Sequence, residues 1–344
     1  MTAFFSEYGL FLAETVTVVL AISFLLGRLF ALGSRGRDAQ QDKLVVRKLN
    51  RKFKHMALAM KRELLPSAEV KKLAKADKAE IKALAKDAKA GATRKRVFVL
   101  DFHGDLRAAA VASLREEVTS VLTVATSADE VVVRLESAGG LVYAYGLAAS
   151  QLQRVRDRGV PLTVVIDKVA ASGGYMMACV ADVVVAAPFA VVGSIGVVTQ
   201  IPNFHRFLKN KDVDVELFTA GEFKRTVTML GENNDKGRAK LQEELDEAHL
   251  LFKEHIARHR PALDIERVAT GEHWYGSRAL ELGLVDRLST SDDYLLTAAD
   301  QADVLEVRYR PKVPLSQRLS ALAAATADRI AGKAWERTQE TRLF

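Results

Sequence analysis

The apolar positions along the chain fall into three regimes. From about Gly9 to Leu32 they run almost unbroken: Gly9 to Ala13, then Val16 to Leu26. A run of about 20 such residues is long enough to cross a bilayer. From about 34 to 95 the apolar positions are scattered among Lys, Ala and Glu. Residues 42–64 read as a basic amphipathic helix, Pro66 breaks it, and Ser67 opens a second Ala/Lys-rich helix. From Arg96 onward, short Val/Ile-rich runs at Val97–Phe102, Glu130–Leu135, Leu162–Ile166 and Val183–Ala186 alternate with helical stretches at Arg107–Thr123 and Ala144–Arg158. That alternation predicts βα units and a mostly parallel sheet, hence an α/β body. A long helix over Asp235–Arg260, a late strand over Val304–Tyr309 and an Ala-rich helix from Pro314 complete the reading. Met176–Val198 is also apolar, but Asp182, Pro188, Ser194 and two glycines cut it into strand and turn pieces, as expected of a buried sheet rather than a second span.

Charge sharpens this division. The chain carries a net charge of +7, yet residues 28–96 alone hold 21 Lys/Arg against 7 Asp/Glu, so the remainder is net acidic. The basic stretch follows the apolar run directly, which suits anionic lipid headgroups. With little aromatic interleaving and no known motif, nucleic acid is not the expected partner. The first run reads as an uncleaved single-pass anchor rather than a signal peptide. Its only preceding charge is Glu7, Glu14 lies near its N-terminal end, and Arg28 follows where a small-residue cleavage site would stand. Cys179 is the single cysteine, which excludes an intramolecular disulfide and a cysteine-rich zinc module, and it reads as a buried structural thiol. His255 and His259 have the i,i+4 spacing of a metal pair, but Ile256 stands where a zincin needs Glu, so they read as a surface pair. No metal or cofactor is called for.

The candidate chemistry sits in four short motifs. Ala170-Ala171-Ser172-Gly173-Gly174-Tyr175 flanks one serine with small residues, leaving Oγ approachable and a backbone N–H at a helix start. Taken alone it reads more readily as a helix N-cap. Glu136-Ser137-Ala138-Gly139-Gly140 follows a strand and can turn amides into the crevice at the carboxyl end of the sheet. Gly193-Ser194-Ile195-Gly196 suggests a strand edge that another backbone approaches. Gly221-Glu222-Phe223-Lys224-Arg225-Thr226 offers a lysine that can act as a base only when desolvated. No histidine shares a motif with the serine, and His103, after the first strand, is the one histidine expected near the crevice.

In this order and spacing the motifs resemble the SohB/signal peptide peptidase A family of membrane serine peptidases, over about residues 96–310, with the extension before them closest to the SohB branch. Ala138 departs from the proline the family usually carries there. The resemblance implies a ClpP/crotonase-like spiral of βα units. The anchor would be residues 1–33, the basic helical extension 34–95, the peptidase domain 96–310 and a C-terminal helical extension 311–344. It also implies Ser172 as nucleophile, Lys224 as general base, Ser194 as the group that orients the lysine, and the amides of Gly140 and Gly173 as oxyanion hole. The substrates would be peptides left in the membrane, cleaved signal peptides among them. The location would be the bacterial inner membrane, and the assembly a homo-oligomeric ring whose dyad is completed between neighbouring subunits. The basic stretch favours a cytoplasmic body, whereas family members often face outward, and both orientations are carried forward. The rival readings are a crotonase-type acyl-CoA enzyme, which needs neither lysine nor anchor; an α/β-hydrolase, whose serine follows a strand directly; and a non-catalytic membrane scaffold, which would not react with a serine-directed phosphonate.

Overall fold

The computed structural model describes residues 15–18, 43–72, 75–76 and 94–311. Most of them belong to one unit, Leu44–Tyr309. The expected anchor over 9–32 lies outside the described residues, except that Thr15–Val18 is helical. The helix expected from Pro314 also lies outside them. Among the described residues, no helix is long and apolar enough to cross a membrane.

The strands are β1 (Lys43–Lys48), β2 (Arg96–Gly104), β3 (Glu130–Ser137), β4 (Leu162–Ile166), β5 (Val169–Ala171), β6 (Val183–Ala186), β7 (Val191–Gly193), β8 (His273–Tyr275), β9 (Arg287–Leu288) and β10 (Asp303–Arg310). The main path runs β1-β10-β2-β3-β4-β6-β9, and the pairings from β10 to β9 are all parallel. The α/β expectation therefore holds.

Every residue of β4 is buried, because the sheet is covered on both faces. Alternate residues feed two cores, as the period of two along a strand requires. Leu100, Phe102, Val131, Val133 and Val164 point into the larger one. Helices α2 (Val111–Leu122), α3 (Val142–Asp157) and α4 (Gly173–Ala178) supply much of the rest, joined by later residues such as Phe252, Ile256 and Val268. Val97, Val99, Val132, Val165 and Val185 point the other way, toward Leu49, Leu295 and Val304. The apolar run Met176–Val198 resolves into α4, β6 and β7 within this body.

Two features were not expected. First, the helix read over 42–64 begins only at Leu49: Lys43–Lys48 forms β1 beside β10, and helix α1 spans Leu49–Leu64. The paired β-branched residues Val45 and Val46 favour the strand. Asn50 then fastens the junction. Its Nδ2 donates to the carbonyls of Ala299 (2.9 Å) and Ala302 (2.8 Å), and its Oδ1 accepts from Val304 N (2.8 Å). Second, β3 outruns β4. Its last residue, Ser137, pairs with Ala170 of β5, and β5 carries the chain into a side layer of parallel β7 and antiparallel β8. Three-residue strands are too short to leave a periodic trace in sequence.

The segment after β7 is largely irregular up to the long helix α6 (Asp235–His259), apart from a short helix α5 (His205–Lys209). The remaining helices are α7 (Ile265–Val268), α8 (Gly276–Glu281) and α9 (Ser291–Gln301).

Candidate active site

Ser172 stands between the end of β5 and the start of α4, with φ 52° and ψ −118°. A side chain in that region of backbone space is strained by about 1–3 kcal/mol. The strand directly before it, missed in sequence, supplies the restraint: Ala171 pairs with Gly193, and Ser172 N donates to Gly193 O at 2.7 Å. Turning sharply out of a strand into a helix is how a nucleophilic serine is lifted clear of its neighbours. Gly173, as the first residue of α4, has an N–H with no partner inside the helix.

The loop after β3 comes up against this turn. Gly139 has φ +92°, and a Cβ there would lie 2.7 Å from Gly173 N and 2.8 Å from Ser172 Cβ. Only glycine meets both conditions. Among the described residues Gly140 N–H has no acceptor, and a Cβ at Gly140 would lie 2.2 Å from Leu106 O. Leu141 N donates to that same carbonyl at 2.9 Å and pins the loop. Among the described residues, the amides of Gly140 and Gly173 thus remain without acceptors, on a loop and a helix start that meet at Gly139.

Sequence reading missed the buttress behind this loop. Tyr145 is buried in α3, and its hydroxyl donates to Asp105 O at 2.8 Å. Ser137 Oγ lies 2.6 Å from that hydroxyl and accepts Gly139 N–H at 3.0 Å. Because the tyrosine proton is committed to a carbonyl, the serine proton goes to the tyrosine oxygen. Burial raises the Tyr145 pKa, so the phenol stays a donor. Its ring also occupies the space where a Gly173 side chain would stand, 2.4 Å from the Cβ position. In sequence Tyr145 is one more apolar-face residue of a helix.

Ser194 follows Gly193 as Ser172 follows Ala171, so the two serines end paired parallel strands. Each has φ 52°. Ser194 N donates to Glu272 O at 2.7 Å. Lys224 is exposed, in a turn closed by its own N–H to Gly221 O at 3.2 Å. Within one chain, no hydrogen bond joins Lys224 Nζ to Ser172 Oγ or to Ser194 Oγ. The structure thus gathers Ser172, Gly139, Gly140, Gly173 and Ser194, while Lys224 stands on the irregular segment. His103 is exposed and contacts Glu136 at 3.7 Å.

His255 and His259 of α6 are half-buried rather than on the surface. His255 Nε2 donates to Met176 O at 3.0 Å, tying α6 to the helix that Ser172 begins, and His259 Nδ1 donates to His255 O at 2.8 Å within α6. Burial pulls the His255 pKa down. Cys179 is buried, as expected, and its Sγ donates to Met176 O at 3.3 Å.

Residues 3–152 match the family described as "Peptidase family S49 N-terminal", and residues 154–305 match "Peptidase family S49". The chain belongs to peptidase family S49. Within it the similarity runs to the SohB branch. The chain is 48% identical over 332 residues to "Probable protease SohB" of Haemophilus influenzae, covering 94% of each chain. It is 53% identical over 228 residues to "Probable protease SohB" of Buchnera aphidicola subsp. Acyrthosiphon pisum, covering 66% of this chain and 68% of that one. Among solved structures, an alanine mutant of the "1510-N membrane-bound stomatin-specific protease" aligns over 65% of this chain and 100% of its own, with TM-score 0.41 and 12% identity.

Proposed function

We propose that the chain is a membrane-anchored serine endopeptidase working through a Ser–Lys dyad, on a peptidase domain of residues 96–310 that is a ClpP/crotonase-like spiral. Ser172 is the nucleophile, Lys224 the general base and Ser194 the group that orients the lysine. The amides of Gly140 and Gly173 hold the oxyanion. The observation that carries this reading is the strained backbone of Ser172 beside two uncommitted backbone amides. Strain of this kind persists where surrounding structure enforces it, and it clusters at active sites.

The steps follow from these groups. Neutral Lys224 takes the hydroxyl proton as Ser172 Oγ bonds to the peptide carbonyl carbon. The carbonyl oxygen becomes an oxyanion facing the two amides. Collapse breaks the C–N bond, and the lysine returns the proton to the leaving amine. Water, deprotonated by the lysine, then attacks the acyl-enzyme and releases Ser172. An exposed lysine favours its charged form, so the dyad needs Lys224 to be desolvated. A neighbouring subunit in a ring would supply that cover. Exposed apolar side chains along the segment that bears Lys224, Phe207, Leu217 and Phe218 among them, suit such an interface.

The anchor reading rests on the apolar run over 9–32, and with it the bacterial inner membrane as location. Membrane-associated peptides, including cleaved signal peptides, are the proposed substrates.

The first test compares the parent with Ser172→Ala. The parent should react stoichiometrically with a serine-directed phosphonate and hydrolyse peptides. The variant should do neither, with an unchanged circular dichroism spectrum. Undiminished turnover by the variant would sink the assignment.

A further inference from the structure

The apolar stripe of α1 begins inside the body and runs out of it. Leu49 is 7% exposed and packs in the second core, with Phe53 half-buried against the same cluster. Met56, Met60 and Leu64 continue that face, since steps of three and four residues keep to one side of a helix. Their exposures are 57%, 64% and 72%. The helix is therefore held at its first turn by the core and by Asn50, and it presents an uncovered apolar ridge along the remaining turns. Arg51, Lys54 and Arg62 lie on the opposite side, with half-buried Leu58 among them; Lys52 and Lys61 flank the ridge, and Glu63, beside it, is the one acidic residue of the helix.

We propose that α1 is an interfacial helix that lies on an anionic lipid surface, with Met56, Met60 and Leu64 at the headgroup–acyl boundary. An apolar ridge with a cationic opposite face is what such a surface selects. The ridge replaces water with acyl chain, while lysine and arginine stems reach back to the phosphates. A second copy of the chain is a poorer occupant, because pairing two ridges would cover the apolar side and leave the cations of both helices without a counter-charge, which an anionic surface supplies. The helix is rooted in the sheet edge by Asn50 and β1, so binding would set how the body stands against the membrane. This inference is independent of the peptidase reading and of whether residues 9–32 anchor the chain.

The test uses the full chain carrying Ser172→Ala, so that activity plays no part. Met60→Cys is labelled with an environment-sensitive fluorophore; native Cys179 is buried and its thiol pKa is pushed up by that burial, so the label goes to the introduced thiol. The protein is reconstituted into phosphatidylcholine vesicles with and without phosphatidylglycerol, and a lipid-phase quencher is added. The expected result is a blue shift and several-fold stronger quenching in the anionic vesicles, reduced by high salt. Reversing Arg51, Lys54, Lys61 and Arg62 to Glu should abolish both, with the melting temperature as control for folding. Equal quenching in both vesicle types, or none in either, would overturn the proposal. So would a label already shielded in detergent without lipid, which would assign the ridge to a protein partner.

Discussion

Ser172 sets stability against function within a single residue. Its φ of 52° suits glycine and strains any side chain. Ser172→Gly should therefore be more stable than Ser172→Ala by roughly 1 kcal/mol, although both are inactive. Urea melts of the two variants decide this, and equal midpoints would mean that the turn is unstrained. Glu117 is a second residue held at a cost. It is buried in α2, with Oε1 accepting Tyr309 N at 2.7 Å and Oε2 unpartnered. Burial raises its pKa from 4.5 to about 7, opposed by the bond from Tyr309. The folded state thus keeps a proton that the unfolded chain has released. The stabilisation is full below the unfolded value and is lost as pH climbs through about 7. Glu117→Gln should raise stability by roughly 1–3 kcal/mol at pH 8 and by little at pH 5, and a pH series of thermal melts reads the difference. The residues that crowd the serine were legible because glycine beside serine is unusual in composition and place. Tyr145 and Glu117 were not, since a helix face tells nothing of which hydroxyl or carboxyl ends beneath a loop.

At the scale of elements, legibility followed length and burial. The long buried strands β2, β3, β4 and β6 and the helices α3 and α6 were read nearly to their ends, because continuous apolar runs and helical spacing both leave traces over many residues. The three-residue strands β5 and β8 left none, and β7 only the strand edge read at Gly193, yet β5 and β7 hold Ser172 and Ser194 in register. The strand β1 was hidden for another reason: its lysines and arginine extend the basic pattern of the helix that follows, so charge masked a change in periodicity. Its attachment depends on Asn50, a polar residue in a basic helix whose three hydrogen bonds all go to the backbone around the start of β10. Asn50→Ala leaves one buried N–H and two carbonyls without that partner and should cost about 2–4 kcal/mol. Asn50→Asp should be no better, since a carboxylate would face the carbonyls of Ala299 and Ala302. Hydrogen exchange should then show faster exchange at Val304 than at β4. A variant as stable as the parent would mean that β1 and α1 are only loosely attached.

At the scale of the whole molecule, the four motifs lie on pieces of chain that one fold draws together only in part. The βα alternation brings the carboxyl ends of β3, β5 and β7 to one place, and with them the two serines and the glycine amides. Lys224 lies beyond them, on an irregular segment whose apolar residues face outward, Val198 being 89% and Phe218 86% exposed. A surface of that kind is unusual for a chain that stays alone, and a proton can pass from serine to lysine only across about 3 Å. Both facts are accommodated if the lysine completes the site of a neighbouring subunit, where the contact would also exclude water. Ser172→Ala chains and Lys224→Ala chains, each inactive alone, should then regain activity when mixed and co-assembled. With random assembly of equal amounts, about a quarter of the interfaces would join an intact serine to an intact lysine, so recovery should approach about a quarter of the parent activity. A Ser172→Ala, Lys224→Ala double variant mixed with either single variant should recover nothing, because no interface then holds both groups. Phosphonate labelling adds a direct readout: in the mixed assembly only the chain with an intact Ser172 should be modified. Verified mixed oligomers without activity would place serine and lysine in the same chain, and the irregular segment would then have to fold back onto its own β5–α4 turn.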